Sequence, residues 1–213
     1  MVSDIGRGIP AAAALLRAVS TESEAMMRVC GEELANVGTT HKKYAFDDLE
    51  DAGRIKDPNG WLTTGVLTTS TCKRKVTRGR KPIHGFVQYF LDLGCENGPS
   101  EGAGEAAVAV TWISNELYAP YEPNEFLHWP FLDDHELRDE RLLCWFDADY
   151  PVAPFATGCW FYVVPLVAVR RREDVARLLV NPVIALIDGQ LAAAAFAHAP
   201  EACRFNAKRE LEE

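Results

Sequence analysis

From Pro10 to about Asn36, apolar residues recur at Leu15, Leu16, Val19, Met26, Met27, Cys30 and Leu34, with acidic residues between them. Spacings of three, four and seven return to one side of a helix, so the pattern predicts one long amphipathic helix with a single face to bury. Pro10 suits its first turn, Ser20 is the point at which a break is expected if there is one, and Gly38 supplies a stop. Lys42 to Ile55 is charge-rich, anchored by Phe46 and Leu49, and Asp57-Pro58-Asn59-Gly60 reads as a turn.

The period then changes. Trp61 to Val76, His84 to Leu93 and Ala106 to Ile113 are rich in Thr, Val and aromatic residues, and the links between them, Thr77 to Pro82 and Gly94 to Glu105, are short and made of turn formers. Consecutive strands so joined pair antiparallel as a meander. In the second of them Val87, Tyr89, Leu91 and Leu93 share one face and Phe86 and Phe90 the other, so both faces are expected to be covered. Asn115 to Glu140 has no clear period and is punctuated by Pro120, Pro123 and Pro130. After it, Arg141 to Phe146 and Cys159 to Val169 read as two more strands, the second apolar on both faces and hence central. Arg171 to Val180 reads as a helix that exits at Asn181-Pro182, Val183 to Ile187 as a strand ending at Asp188-Gly189, and the Ala-rich run after it as a helix. Asp133 or Asp134 is placed to cap a short helix with Glu136 in its first turn.

Together these elements predict a single α+β domain over residues 1–213. A mostly antiparallel sheet of about five or six strands carries an N-terminal amphipathic helix and C-terminal helices packed on it. The N-terminal helical segment covers 10–55, the sheet and helices cover 61–200, and the tail at 204–213 is frayed. A chain of this length, with 48% hydrophobic residues, sustains one core without staples.

Charge changes the functional picture. Thirty-one acidic residues against 22 basic ones leave a net charge of −9, which argues against broad nucleic-acid binding except through a local basic patch. The longest apolar stretches, Cys159 to Val169 and Leu191 to Ala197, fall short of the ~20 residues that span a bilayer, and no signal-type h-region precedes them. A soluble, cytoplasmic protein without a membrane partner is expected. The six cysteines never come as CxxC and are expected as buried, reduced thiols, including Cys159, which His84 or His198 could otherwise approach as a base.

Three constellations could carry function. Lys73, Arg74, Lys75, Arg78, Arg80 and Lys81 surround a hairpin turn, and the anion-binding set is Arg74, Lys75, Arg78, Arg80 and Lys81, whose alternative role is a solvated tip that guards a sheet edge. Tyr118, Tyr121, Phe126, Trp129 and Phe131, interleaved with acidic residues, form a partner-binding set suited to a basic protein, unless they pin the long connection to the sheet. His128, Asp133, Asp134 and His135 could ligate a divalent metal or act as acid and base, although their spacing matches no established motif. No phosphate-cradling glycine motif and no G-x-S-x-G elbow is present, and no cofactor is expected. The reading is a binding protein of inhibitor, immunity or adaptor type that engages a partner through its acidic, aromatic stretch. The alternative is a metal-dependent hydrolase or nuclease using the His/Asp cluster, with the basic hairpin holding a phosphate-containing substrate.

Overall fold

The structure is a computed structural model that describes residues 2–56, 63–93, 106–115, 135–139, 141–145 and 158–202. Helix α1 runs from Val2–Thr40 without a break at Ser20. Its start precedes Pro10, which therefore lies inside the helix rather than in its first turn. Among its described side chains and backbone positions, Ser23, Met27, Cys30, Leu34 and Gly38 are buried, a stripe at helical spacing. Gly38 is not the stop. It is where the chain returns against the helix: a Cβ there would stand 2.9 Å from the Phe46 backbone nitrogen.

Eight strands follow: β1 (Tyr44–Phe46), β2 (Glu50–Lys56), β3 (Thr63–Arg74), β4 (Ile83–Asp92), β5 (Ala107–Ser114), β6 (His135–Asp139), β7 (Leu142–Trp145) and β8 (Cys159–Pro165). They form one sheet in the order β1-β3-β4-β5-β8-β7-β6, with β2 also on β3, and every pairing is antiparallel. The α+β layout and the β3-β4-β5 meander are as the sequence predicts. The strand count is higher because the charge-rich segment after α1, expected to be helical, pairs with β3 instead. Twelve-residue β3 is long enough to hold β1 at Cys72 to Arg74 and β2 along Thr63 to Thr69. Residues 135–139, expected near the start of a capped helix, are strand, because pairing with β7 satisfies their backbone.

After β8 come a 3₁₀ turn at Leu166–Ala168, α2 (Arg172–Asp174), a π-helical stretch at Val175–Val180, α3 (Asn181–Ile187) and α4 (Ala192–Ala195). The helix thus passes through Asn181-Pro182, and the segment expected to be a strand continues it. Pro182 has no N–H for the carbonyl one turn back, that of Leu178. The chain answers locally and from the sheet. The Asn181 N–H reaches back to the Ala176 carbonyl in a π-type bond, and the Tyr162 hydroxyl donates to Leu178 O at 3.0 Å, with Leu179 O at 3.3 Å. Tyr89 donates to Leu179 O at 3.2 Å. Tyr89 and Tyr162 flank Val110 in register, so three strands aim two hydroxyls at one helical turn.

The core lies between these helices and one sheet face, where Val87, Tyr89, Leu91, Val108, Val110, Trp112, Trp160, Tyr162 and Val164 meet Met27, Cys30 and Leu34 of α1 and Leu178, Leu179, Val183 and Leu186. The opposite face is buried as well, at Phe86, Gln88, Phe90, Ala109, Ile113, Phe161 and Val163, so both faces are covered as expected.

Candidate functional site

The β3–β4 hairpin carries six cations within residues 73–81. Its connection, 75–82, turns at Gly79, whose φ of 89° lies in the left-handed region that a side chain resists. Arg74 N donates to Pro82 O and Lys75 N to Lys43 O, which fixes the neck of the hairpin. The six cations divide into two groups. Lys73 pairs with Asp47 at 2.5 Å, and Lys75 donates to the carbonyls of His41 at 2.7 Å and Thr39 at 3.2 Å. Lys75 therefore caps the negative end of α1. Among the described residues Arg74, Arg78, Arg80 and Lys81 have no ion-pair partner, and all four are exposed. Val76 and Ile83, 42% and 40% exposed, flank them with apolar surface.

The base on which this tip stands is tightly built. β3 and β4 slip by one residue between Cys72 and Lys73, which oppose Gly85 and Ile83, so His84 is the extra residue of a bulge. A bulge re-aims a side chain, and His84 turns to the helix-covered face. There it stacks on Tyr44 with centroids 5.0 Å apart and planes 4° apart, and tilts against Trp112 at 5.5 Å. Tyr44 stacks in turn on His41 at 5.2 Å and donates to Ile187 O. Gly85 is required here: a Cβ would lie 2.5 Å from both Ile113 O and the Trp112 ring. His41 accepts from the backbone N–H of Lys43 and Tyr44 on Nδ1 and meets Asp188 through Nε2 at 2.7 Å, while Lys43 holds the other Asp188 oxygen at 2.8 Å. Burial works to raise the Asp188 carboxyl, and the hydrogen bonds from Lys43 and His41 outweigh it and hold the group below its usual range. Burial, with Arg74 nearby, lowers His84 to about 4, so its imidazole is neutral. Cys30 and Cys72 are buried free thiols pushed up to about 12 by desolvation, far from the thiolate that nucleophilic chemistry needs. Cys159 is also buried and outside any disulfide, on the sheet face opposite His84.

A cleft of about 800 Å³ opens beside α2, lined by Arg170, Arg171, Arg177, Glu173, Asp174 and Glu201 among others. Its charges are largely used internally. Glu201 grips the Arg177 fork at 2.7 and 2.8 Å with Asp174 at 3.1 Å, and Asp174 also accepts from the backbone of Arg170 and Arg171.

Of the residues singled out from sequence, the hairpin set is brought together, with Lys75 committed to α1. Tyr118, Tyr121, Phe126, Trp129 and Phe131 lie outside the described residues, as do His128, Asp133 and Asp134. His135 opens β6 opposite Trp145. Among the described residues no group of three or more His, Cys, Asp or Glu could hold a metal ion, and no helix is long and apolar enough to cross a membrane. Sequence reasoning missed the base of the hairpin entirely, since His41, Tyr44, His84, Trp112 and Asp188 meet only through tertiary pairing.

The fold and this surface define an α+β protein built on one antiparallel sheet with a cation-bearing hairpin. No protein-family model, no curated protein and no solved structure matches the chain.

Proposed function

We propose that this is a binding protein that grips a carboxylate-rich face of a protein partner with the β3–β4 hairpin tip. The observation that carries the reading is the division among the hairpin cations: two hold the hairpin to α1 and to the segment after β1, and four are left exposed on a neck fixed by backbone hydrogen bonds. Arginine forks match carboxylates bidentately, and Val76 and Ile83 supply apolar contact beside them. A net charge of −9 disfavours a long polyanion such as nucleic acid, whose many phosphates would meet the rest of the surface. The acidic, aromatic stretch with Tyr118, Tyr121, Phe126, Trp129 and Phe131 is proposed as a second contact, to a basic region of the same partner.

The test is affinity capture from the native host with the wild-type chain and with Arg78→Ala/Arg80→Ala/Lys81→Ala as parallel baits. The expected result is a stoichiometric protein retained by the wild type, released by raising the salt, and lost from the triple variant while its melting temperature is unchanged. Equal retention by both baits would refute the reading, and so would a captured component that nuclease removes.

A further inference from the structure

The cleft of about 800 Å³ beside α2 is a second site, built apart from the hairpin. An ion network holds its charged side in place. Arg177 is gripped by Glu201 and by one oxygen of Asp174, and the other Asp174 oxygen accepts from the backbone N–H groups of Arg170 and Arg171, both at 3.1 Å. Arg172, next in sequence, does not line the cleft. It donates to Glu32 and Glu33 at 2.8 and 2.6 Å and so ties this turn to α1.

The network leaves over an open guanidinium beside apolar surface. The Arg170 Nε–H donates to Val167 O at 3.0 Å, which folds the side chain back along the 3₁₀ turn and fixes the plane of its fork. Arg170 is exposed and has no ion-pair partner among the described residues, so the edge formed by its two terminal nitrogens is open. Val167, 64% exposed, gives the same cleft apolar lining together with Pro165 and Ala168. Three arginines and three carboxylates line the cleft in all, Arg170, Arg171 and Arg177 against Glu173, Asp174 and Glu201, so their charges cancel. A dianion or a polyphosphate would meet those carboxylates without a surplus of cations to offset them. A single negative charge on the open fork is what the arrangement accommodates. Volumes of about 300 to 1,000 Å³, with apolar lining and a few placed polar groups, are those of small-molecule sites. A guanidinium already fixed in plane also loses less freedom on gripping a carboxylate than a free one.

We infer that the cleft binds a monocarboxylate with an apolar body. The carboxylate pairs with the outer edge of the Arg170 guanidinium in two parallel hydrogen bonds, and the body lies along Pro165, Val167 and Ala168. Binding here is separate from the hairpin: the triple hairpin variant retains it.

The test uses 2-naphthoate as probe and 2-naphthalenemethanol as its neutral counterpart, titrated by calorimetry into the full chain and into Arg170→Gln and Val167→Ser. Both positions are exposed, so both variants should melt at the wild-type temperature. The wild type is expected to bind 2-naphthoate about tenfold or more tighter than the alcohol. Arg170→Gln should weaken 2-naphthoate by about tenfold or more and leave the alcohol within about twofold. Val167→Ser should weaken both ligands by about threefold or more, because the body loses apolar contact. Failure of the wild type to bind 2-naphthoate overturns the proposal, as does equal affinity for acid and alcohol, or 2-naphthoate affinity unchanged in Arg170→Gln. Where Arg170→Gln melts below the wild type, Arg170→Lys decides: it keeps the charge without the fork, and 2-naphthoate affinity equal to that of the wild type overturns the two-bond grip.

Discussion

His84 is the residue through which pH reaches the base of the hairpin. Its ring stacks on Tyr44, tilts against Trp112 and feels the guanidinium of Arg74, and burial followed by that charge lowers its pKa from 6.5 to about 4. The unfolded chain therefore binds a proton more readily than the folded chain across this window. Stability attributable to His84 is complete above the unfolded value, declines as pH falls below it, and is lost through the folded value. Partitioning one proton between pKa values of 6.5 and about 4 gives a loss of about 2 kcal/mol between about pH 7.5 and about pH 5. The measurement is urea unfolding of the wild type and His84→Phe at both pH values. Phenylalanine keeps a stacking ring, costs under about 1.5 kcal/mol as a near-isosteric swap, and removes both the titration and the unpartnered Nε2. Comparing the two proteins cancels the other ionisable groups, so the wild type should lose about 2 kcal/mol more than the variant. Parallel losses would refute the reasoning, as would an imidazole NMR titration with a midpoint at or above the ordinary histidine value.

Two further outcomes follow from close packing. Gly85→Ala should destabilise the protein by about 1 to 3 kcal/mol in urea unfolding, because the new methyl meets backbone at Ile113 O and the buried Trp112 ring rather than a flexible chain end; a neutral substitution would contradict the bulge geometry. Tyr162→Phe should cost about 1 to 3 kcal/mol by leaving Leu178 O without its donor, and Pro182→Ala should recover part of that loss by restoring the N–H one turn ahead; additive effects in the double-mutant cycle would show that the two residues do not share that carbonyl.

The meander was legible because its information is local. Turn formers bracket three β-rich runs, and β4 announces its two covered faces in the alternation of Val87, Tyr89 and Leu91 with Phe86 and Phe90. The helix through Pro182 was not legible, because the rule that proline ends a helix assumes an abandoned carbonyl. That carbonyl is instead satisfied by Tyr162, whose position depends on the register of β8 against β5. The same cause hid β1 and β2: charge-rich segments next to a helix read as its continuation until a long partner strand such as β3 offers them a ladder.

The candidate sites divide along the same line. The hairpin cations were visible as a cluster, but which are committed to the fold depends on Asp47 and the carbonyls of Thr39 and His41, which only tertiary structure brings to Lys73 and Lys75. Subtracting those two sharpens the remaining charge into Arg74, Arg78, Arg80 and Lys81 on a rigid neck. Gln88 was passed over in the sequence, although it is the polar position in a run that is apolar on both faces, and a fully covered strand has no water to offer an amide. A polar residue in such a run implies a partner, and the register of β3, β4 and β5 leaves the Gln88 amide facing Thr69 and Thr111 without one.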